Sequence, residues 1–225
     1  MSAGFYGKLA GRGDFLSRDL PPGFIEAWDA WLAAGMAASQ NELGEAWLDA
    51  YLVSPLWRFA VPANLLGNQP VVGVMMPSID RVGRYFPLTI ASLLAPDADI
   101  ASVVGGEESW FDQAEALLLS TLEPEADVEQ FERGVQALGA PLAMPKAAIG
   151  NLGTLLRSEA ATPAARTALL AQLSCEGTSC WWGHGSDQVA AGLLRCHGLP
   201  ALQDFARLLI GEGVVRATHS TGMVP

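Results

Sequence analysis

The central stretch of the chain, WRFAVPANLLGNQPVVGVMMPSIDRVGRYFPLTIASLL (residues 57–94), decides the fold. It holds three runs rich in apolar, β-branched and aromatic residues: Trp57 to Val61, Val71 to Met76 and Tyr85 to Leu94. Proline residues and a Gly-Asn pair separate these runs, as is typical of the turns between strands. A parallel crossover needs a dozen or more residues, so these short connectors favour antiparallel neighbours. The stretch therefore predicts three strands in an antiparallel meander.

The residues before this meander predict one more strand and two helices. Gly4 to Leu9 is a short strand candidate that runs into a glycine-rich turn. After Pro21 and Pro22, apolar residues recur at helical spacing, which predicts an amphipathic helix. Asn41 is a candidate N-cap for a second helix, and the residue before Pro55 should end it.

The residues after the meander predict further helices and a strand pair. Helices are expected over Trp110 to Leu122, Glu125 to Leu138, Pro163 to Leu173 and Pro200 to Ile210. Ser109 and Asp112 could form a capping box for the first of these helices, and Thr162 is the candidate N-cap of the third. Strands are expected over Ser179 to Trp182 and Val189 to Cys196. This order predicts an α+β fold, a mostly antiparallel sheet flanked by helices. We expect a single domain over residues 1–225, with a possible soft subdivision near residues 124–145.

The composition indicates a protein with a large core. Half of the 225 residues are apolar and 16% are charged, so the chain has enough apolar surface to bury. No apolar stretch reaches the length of about eighteen residues that a membrane span needs. The N-terminus lacks the basic and apolar regions of a secretory signal. We therefore expect a cytoplasmic protein with no direct membrane insertion.

Acidic residues dominate the charge and gather in the middle of the chain. The formal net charge is −11, which disfavours nucleic acid as a partner. Residues 97–132 contain eleven acidic residues and no Lys or Arg. Two interpretations stay open: a pair of solvated helix faces, or an acidic surface that docks a basic partner.

A second group of charges lies in turns between the predicted strands. The candidate partner- or anion-binding residues are Lys8, Arg12, Asp14, Arg58, Ser78, Asp80, Arg81 and Arg84. Ionised groups beside apolar strands are costly when they are buried without a partner. One interpretation is therefore structural: Arg12 pairs with Asp14 nearby, and an ion-pair network links Arg58, Asp80, Arg81, Arg84 and Asp14. The other interpretation is an anion pocket or a binding surface.

The sequence contains no convincing catalytic or metal-binding set. Neither the glycine-rich turn after Leu9 nor the charged turn after Met76 supplies a His or Cys beside a nucleophile. We therefore expect no catalytic residues and no enzyme activity. Cys175, Cys180, His184, Cys196 and His197 offer soft ligands, but their spacing is not that of a structural zinc site. Three cysteines in a cytoplasmic setting should remain reduced thiols. We expect no metal and no cofactor.

Three stretches together carry a family resemblance. They are GFYGKLAGRGDFL (residues 4–16) followed by WDAWL (28–32), PLWRF (55–59), and PSIDRVGRYFPL (77–88). A looser match continues through Cys180-Trp181-Trp182 and Gly198-Leu199-Pro200. In this order the motifs resemble the TagF (ImpM) family of proteins associated with the bacterial type VI secretion system.

The resemblance implies a function that the residues alone do not. Members of this family are thought to be cytoplasmic, post-translational repressors that bind a forkhead-associated scaffold protein of the secretion system. The family's fold looks like an antiparallel sheet with helices, of a longin- or profilin-like kind. Two alternatives remain: a small-anion or phospho-ligand binding protein or enzyme that uses the Arg and Lys side chains, and a purely structural role for the charged motif.

Overall fold

The computed structural model describes residues 2–211 and contains a seven-stranded sheet whose neighbours are all antiparallel. The strands are β1 Ala3–Lys8, β2 Phe15–Arg18, β3 Trp57–Val61, β4 Val71–Met76, β5 Leu88–Leu93, β8 Thr178–Gly183 and β9 Gly192–His197. They lie in the order β2-β1-β5-β4-β3-β8-β9. A separate hairpin consists of β6 Gly150–Leu152 and β7 Leu155–Arg157. The predicted antiparallel α+β fold is confirmed.

Helices cover both faces of the sheet. They are α1 Pro22–Leu43, α2 Trp47–Leu52, α3 Ile100–Val104, α4 Ser109–Ser120, α5 Val128–Leu138, α6 Pro163–Ser174 and α7 Phe205–Ile210, with short 3-10 turns at Gly44–Ala46 and Leu202–Asp204. Two apolar cores result, one on each face. The first is formed with α1, α2 and α7, and the second with α3, α4 and α5. Among residues 2–211, no helix combines the length and the apolar character that crossing a membrane requires.

Strand alternation divides the side chains of β3 between the two cores. Phe59 points into the first core, where its ring centroid lies 4.7 Å from that of Trp28. Ala60 belongs to the second core. Because alternate residues of a strand share a face, Arg58 lies on the same side as Ala60, towards α4. An arginine is thus directed into the interior of the layered fold.

The structure confirms the strands of the meander and corrects several helix boundaries. The predicted bounds of β3 and β4 are exact, but β5 begins at Leu88 rather than Tyr85, because Tyr85 bridges Ile79 across the turn and Pro87 has no amide to donate to a neighbouring strand. Asn41 does not cap a helix: it lies inside α1, which continues to Leu43. Ser109 does not form a capping box either, since Glu108 occupies the N-cap position with no side-chain bond.

The C-terminal part follows the prediction less closely. Thr162 caps α6 as expected, and its hydroxyl accepts from the amide of Ala165. The last helix is shorter than predicted and begins at Phe205. Strand β9 begins at Gly192 rather than Val189. Strand β2 and the β6–β7 hairpin were not predicted.

Candidate functional site

Arg58 lies at the centre of a charged cluster between β3 and α4. Its side chain is only 1% exposed. Three carboxylates of the α4 segment reach it: Glu115 at 2.6 Å from Nε, Asp112 at 2.6 Å from Nη2 and Glu108 at 3.0 Å from Nη1. Residues at positions i, i+4 and i+7 share one face of a helix, so the sequence places the three acids together. Arg58 therefore binds α4 to the sheet.

Burial differs among the three carboxylates. The side chain of Glu115 is 14% exposed, whereas those of Glu108 and Asp112 are 56% and 60% exposed. Glu115 thus makes the interior ion pair. The other two lie at the surface, where water competes with Arg58 for their oxygens. Among residues 2–211, the second oxygen of each of these two carboxylates has no cationic partner.

The electrostatics of the cluster keep Arg58 charged. Burial disfavours the guanidinium, but hydrogen bonds to Glu115 and Asp112 outweigh burial and raise the pKa of Arg58 above its ordinary value. Nε2 of His184 lies 2.9 Å from Nη2 of Arg58. Because a guanidinium only donates, this nitrogen is the acceptor in the contact. Three carboxylates facing one guanidinium leave a net negative charge.

Part of the cluster has the composition of a metal site. Ligand atoms of Glu108, Asp112 and His184 all lie within 4.8 Å of one another. However, Arg58 already donates to Asp112 and His184. A cation bound there would lie beside the guanidinium and displace these hydrogen bonds. The arrangement suits a structural arginine better than a metal ion.

A second charged cluster surrounds Asp80 in the turn between β4 and β5. Nζ of Lys8 lies 2.7 Å from Oδ2 of Asp80, and both side chains are buried. Nε of Arg84 lies 2.7 Å from the same oxygen, and the amides of Val82 and Arg84 donate to Oδ1. Burial opposes ionisation of Asp80, but these hydrogen bonds prevail and lower its pKa below the ordinary value. Asp80 is therefore an ionised centre around which the turn folds.

Further hydrogen bonds connect the turn around Asp80 to neighbouring parts of the chain. Ser78 donates through Oγ to the carbonyl of Lys8 at 2.7 Å, and the hydroxyl of Tyr51 donates to the carbonyl of Ser78 at 2.9 Å. Arg84 also donates to the carbonyl of Gly13. The amide of Arg81 donates to the carbonyl of Arg12. These contacts join β1, α2, the turn around Asp80 and the glycine-rich turn that contains Arg12 and Gly13.

The structure thus divides the eight candidate residues. Lys8, Ser78, Asp80 and Arg84 come together, and in the described part of the chain Arg12 and Arg81 join them through backbone atoms. The hypothesis of one network is wrong for Arg58, which binds acids of α4 instead. Arg12, Asp14 and Arg81 are exposed, and within residues 2–211 their side chains form no salt bridge, so the predicted Arg12–Asp14 pair is also absent there.

The acidic middle of the chain forms a largely exposed surface on α4, α5 and their connection. Eight of its eleven acids are exposed: Asp97, Glu107, Glu108, Asp112, Glu123, Glu125, Asp127 and Glu129. A groove of about 490 Å³ runs between α4 and α5. Leu117, Val128 and Phe131 contribute apolar lining, while Glu123, Glu125 and Asp127 line the acidic end. We call this the α4–α5 acidic groove.

The four partners of Arg58 are not assigned to its cluster by sequence reasoning. The spacing of Glu108, Asp112 and Glu115 indicates that they share one face of a helix, and this much follows from the sequence alone. Their partner, fifty or more residues earlier, depends on how α4 packs against the sheet. His184 lies just beyond β8, the neighbour of β3, and only the sheet order brings it to Arg58.

Comparisons with known proteins point to one family. The sequence model of the TagF N-terminal domain, described as type VI secretion system-associated, matches residues 4–138. The crystal structure of PA0076 from Pseudomonas aeruginosa PAO1 is similar over 100% of both chains, with 61% sequence identity and a TM-score of 0.91. No protein with a curated description matches the chain. The matched residues 4–138 contain the Asp80 cluster, the α4–α5 acidic groove and all of the Arg58 cluster except His184.

Proposed function

Because the chain belongs to the TagF family of type VI secretion-associated proteins, we propose that it is a cytoplasmic repressor that binds a forkhead-associated scaffold protein of the secretion system. In this proposal the protein acts after translation, by occupying a component that assembly needs. It acts by binding rather than by catalysis.

The observation that supports this proposal most strongly is the α4–α5 acidic groove. Its floor is apolar, its acidic end carries Glu123, Glu125 and Asp127, and residues 97–132 contain no Lys or Arg. Forkhead-associated domains recognise phosphorylated or acidic segments through clusters of Arg. A surface with acidic side chains beside an apolar floor is complementary to such a cluster. Charge complementarity of this kind raises the association rate and excludes wrong partners.

The state of the cationic residues also favours binding over anion chemistry. Lys8 and Arg58 are buried and already bind carboxylates, and Arg84 binds Asp80. A phosphate would have to displace these carboxylates from their cations. The geometry therefore gives no support to an anion pocket built on Lys8, Arg58 and Arg84, and leaves Arg12 and Arg81 as exposed cations without a salt bridge among residues 2–211.

The test is a charge reversal on the groove with a matched control. Glu123→Lys with Glu125→Lys changes the charge of two exposed residues that make no ion pair among residues 2–211. Glu26→Lys with Glu45→Lys makes the same change near α1, away from the groove. Binding of each purified double variant to the purified scaffold protein is measured by calorimetry, and secretion is measured in cells that carry the variants.

We expect the groove variant to bind at least tenfold more weakly and to release secretion, while the control behaves like the wild type. Wild-type affinity should also fall as salt is added. No binding by the wild-type protein would overturn the assignment of the partner. Equal weakening in both double variants would overturn the assignment of the surface, because only net charge would then matter.

A further inference from the structure

Two cysteines meet where helix α6 ends and strand β8 begins. Cys175 directly follows α6, and Cys180 lies on β8. The amide of Thr178 donates to the carbonyl of Cys175 and closes the turn between them. This turn brings Sγ of Cys175 to 4.0 Å from Sγ of Cys180, and both are reduced thiols. A disulfide forms when two such sulfurs approach to about 2.05 Å.

An open cavity reaches this pair from the side of Cys175. The cavity has a volume of about 370 Å³, and its lining includes Cys175, Gly177, Asn64 and Lys146. Cys180 is 2% exposed and belongs to the second core. A small molecule that enters the cavity therefore meets Cys175 before Cys180.

The two thiols differ in acidity. The contact with Cys180 lowers the pKa of the Cys175 thiol below its ordinary value, against the opposing effect of burial. The same contact, together with burial, raises the pKa of Cys180. Arg195 favours the Cys175 thiolate and Asp99 opposes it. Because the thiolate is the form that attacks oxidants, Cys175 is the nucleophile of the pair and Cys180 keeps its proton.

We propose that Cys175 and Cys180 form a reversible disulfide when the protein meets hydrogen peroxide. The Cys175 thiolate attacks one peroxide oxygen, the O–O bond breaks, and the departing hydroxide takes up a proton to become water. The product is a sulfenic acid at Cys175. The sulfur of Cys180 then attacks the sulfenic sulfur, and the proton of Cys180 leaves with the hydroxyl group as a second water. One peroxide is thus reduced to two waters while two thiols are oxidised to one disulfide.

Formation of the disulfide should move α6 rather than β8. Cys180 is held in the sheet from both sides, since it pairs with Ala60 of β3 and with Arg195 of β9. Helix α6 buries Gln172, while its other residues are exposed or partly exposed. Closing the gap between the sulfurs from 4.0 Å to about 2 Å therefore draws the end of α6 towards the sheet.

The test is the mass of a tryptic peptide from the purified, reduced protein after treatment with hydrogen peroxide. Remaining thiols are blocked with iodoacetamide in denaturant before digestion. Trypsin cleaves after Arg166 and Arg195, so Cys175 and Cys180 lie in one peptide and Cys196 in the next. We expect peptide 167–195 to have lost two hydrogens and to carry no blocking group. Reduction with dithiothreitol before blocking should restore both thiols.

Cys196 provides the matched control. It lies opposite Ser179 in the β8–β9 ladder, and strand alternation places it on the other face of the sheet from Cys180. Cys196→Ser should therefore form the same disulfide as the wild type. Cys180→Ser should instead stop at the sulfenic acid of Cys175, which dimedone labels, and Cys175→Ser should leave Cys180 unlabelled. Circular dichroism melting verifies that each variant folds.

Three results would overturn the proposal. The first is a wild-type peptide 167–195 without a disulfide at a peroxide concentration that fully oxidises free glutathione. The second is a disulfide that joins Cys196 to either of the other two cysteines. The third is dimedone labelling of Cys180 in folded Cys175→Ser as fast as that of Cys175 in Cys180→Ser, since the two thiols would then be equally reactive.

Discussion

Nε of Arg58 lies 2.6 Å from Oε1 of Glu115, and this pair joins the centre of the sheet to α4. The arginine side chain is 1% exposed and the glutamate side chain 14% exposed. A buried ion pair is weak evidence for net stability, but it creates a strong dependence on both partners. The contact also fixes the position of α4, one wall of the acidic groove.

Replacing Arg58 should therefore destabilise the protein. Arg58→Met keeps much of the volume but leaves Glu115 without its cation. Loss of one partner from a buried pair costs about 3–5 kcal/mol, and we expect the lower end because Glu108 and Asp112 regain water. The free energy of unfolding is measured by urea denaturation.

Arg133→Met is the matched control for this substitution. Arg133 lies on α5, is 66% exposed and approaches Glu129 only at 3.8 Å. Its loss should change the free energy of unfolding by no more than about 0.5 kcal/mol. Equal effects of the two substitutions would mean that the interior ion pair does not hold α4 in place.

The carboxylates around Arg58 should differ in their importance for stability. Glu115→Gln weakens a charged hydrogen bond in the interior and should cost about 1.5–3 kcal/mol. Asp112→Asn alters a contact that is 60% exposed and should cost less than about 1 kcal/mol. Both free energies come from the same urea titration. A larger loss for Asp112→Asn would indicate that the exposed carboxylate, and not Glu115, makes the dominant contact.

The sequence predicts the fold best where apolar residues run without interruption. The bounds of β3 and β4 follow from such runs, and the cap of α6 follows from Thr162 and the adjacent Pro163. Predictions failed where tertiary contacts outweigh local preference. Asn41 favours an N-cap, yet α1 continues past it, and Ser39 in the last turns of that helix accepts from the indole of Trp47.

The charged clusters were predictable only in part. Lys8, Asp80 and Arg84 lie at the ends of neighbouring strands or in a short turn, so the sequence indicates that they meet. The interpretation as one ion-pair network also includes Arg58. Side chains alternate along β3, and Arg58 therefore points to the face of the sheet opposite to that of Lys8 and Asp80. Its partners depend on how α4 packs against the sheet, which the sequence does not show.

The stability of the protein should depend on Asp80 at acid pH. Hydrogen bonds from Lys8, Arg84 and Val82 lower the pKa of this carboxyl in the folded state, against the opposing effect of burial. The unfolded chain then binds a proton at higher pH than the folded chain does. The contribution of Asp80 is complete above the unfolded value of about 4 and is lost as pH falls towards the folded pKa.

Asp80→Asn isolates this contribution. At pH 7 the variant should unfold at lower urea concentration than the wild type, because Lys8 remains buried without its anion. Below about pH 4 the free energies of unfolding of the variant and the wild type should converge, because the wild-type carboxyl takes up a proton when the chain unfolds. Asp14→Asn, at an exposed site, is the control and should follow the wild type throughout. A constant difference between Asp80→Asn and the wild type at every pH would contradict the lowered pKa.

Two glycines of α1 should respond in opposite directions to substitution by alanine. A Cβ added at Gly35 would lie 2.5 Å from Cε2 of Phe205 and closer still to Cδ2, within the α1–α7 contact. Phe205 is buried and its ring packs against Trp31, so the ring has little room to move. Overpacking of this kind costs about 1–3 kcal/mol, which exceeds the gain of up to about 1 kcal/mol from replacing a helical glycine.

At Gly23, by contrast, an added Cβ meets no atom within 4 Å. Gly23→Ala should therefore stabilise the protein by about 0.4–1 kcal/mol through the lower entropy of the unfolded chain. For a chain of this size each kcal/mol corresponds to roughly 2–4 °C in Tm. Calorimetry should therefore give a lower Tm than the wild type for Gly35→Ala and a higher Tm for Gly23→Ala. If Gly35→Ala melted at or above the wild-type temperature, α7 could not be packed as closely on α1 as the Phe205 contact requires.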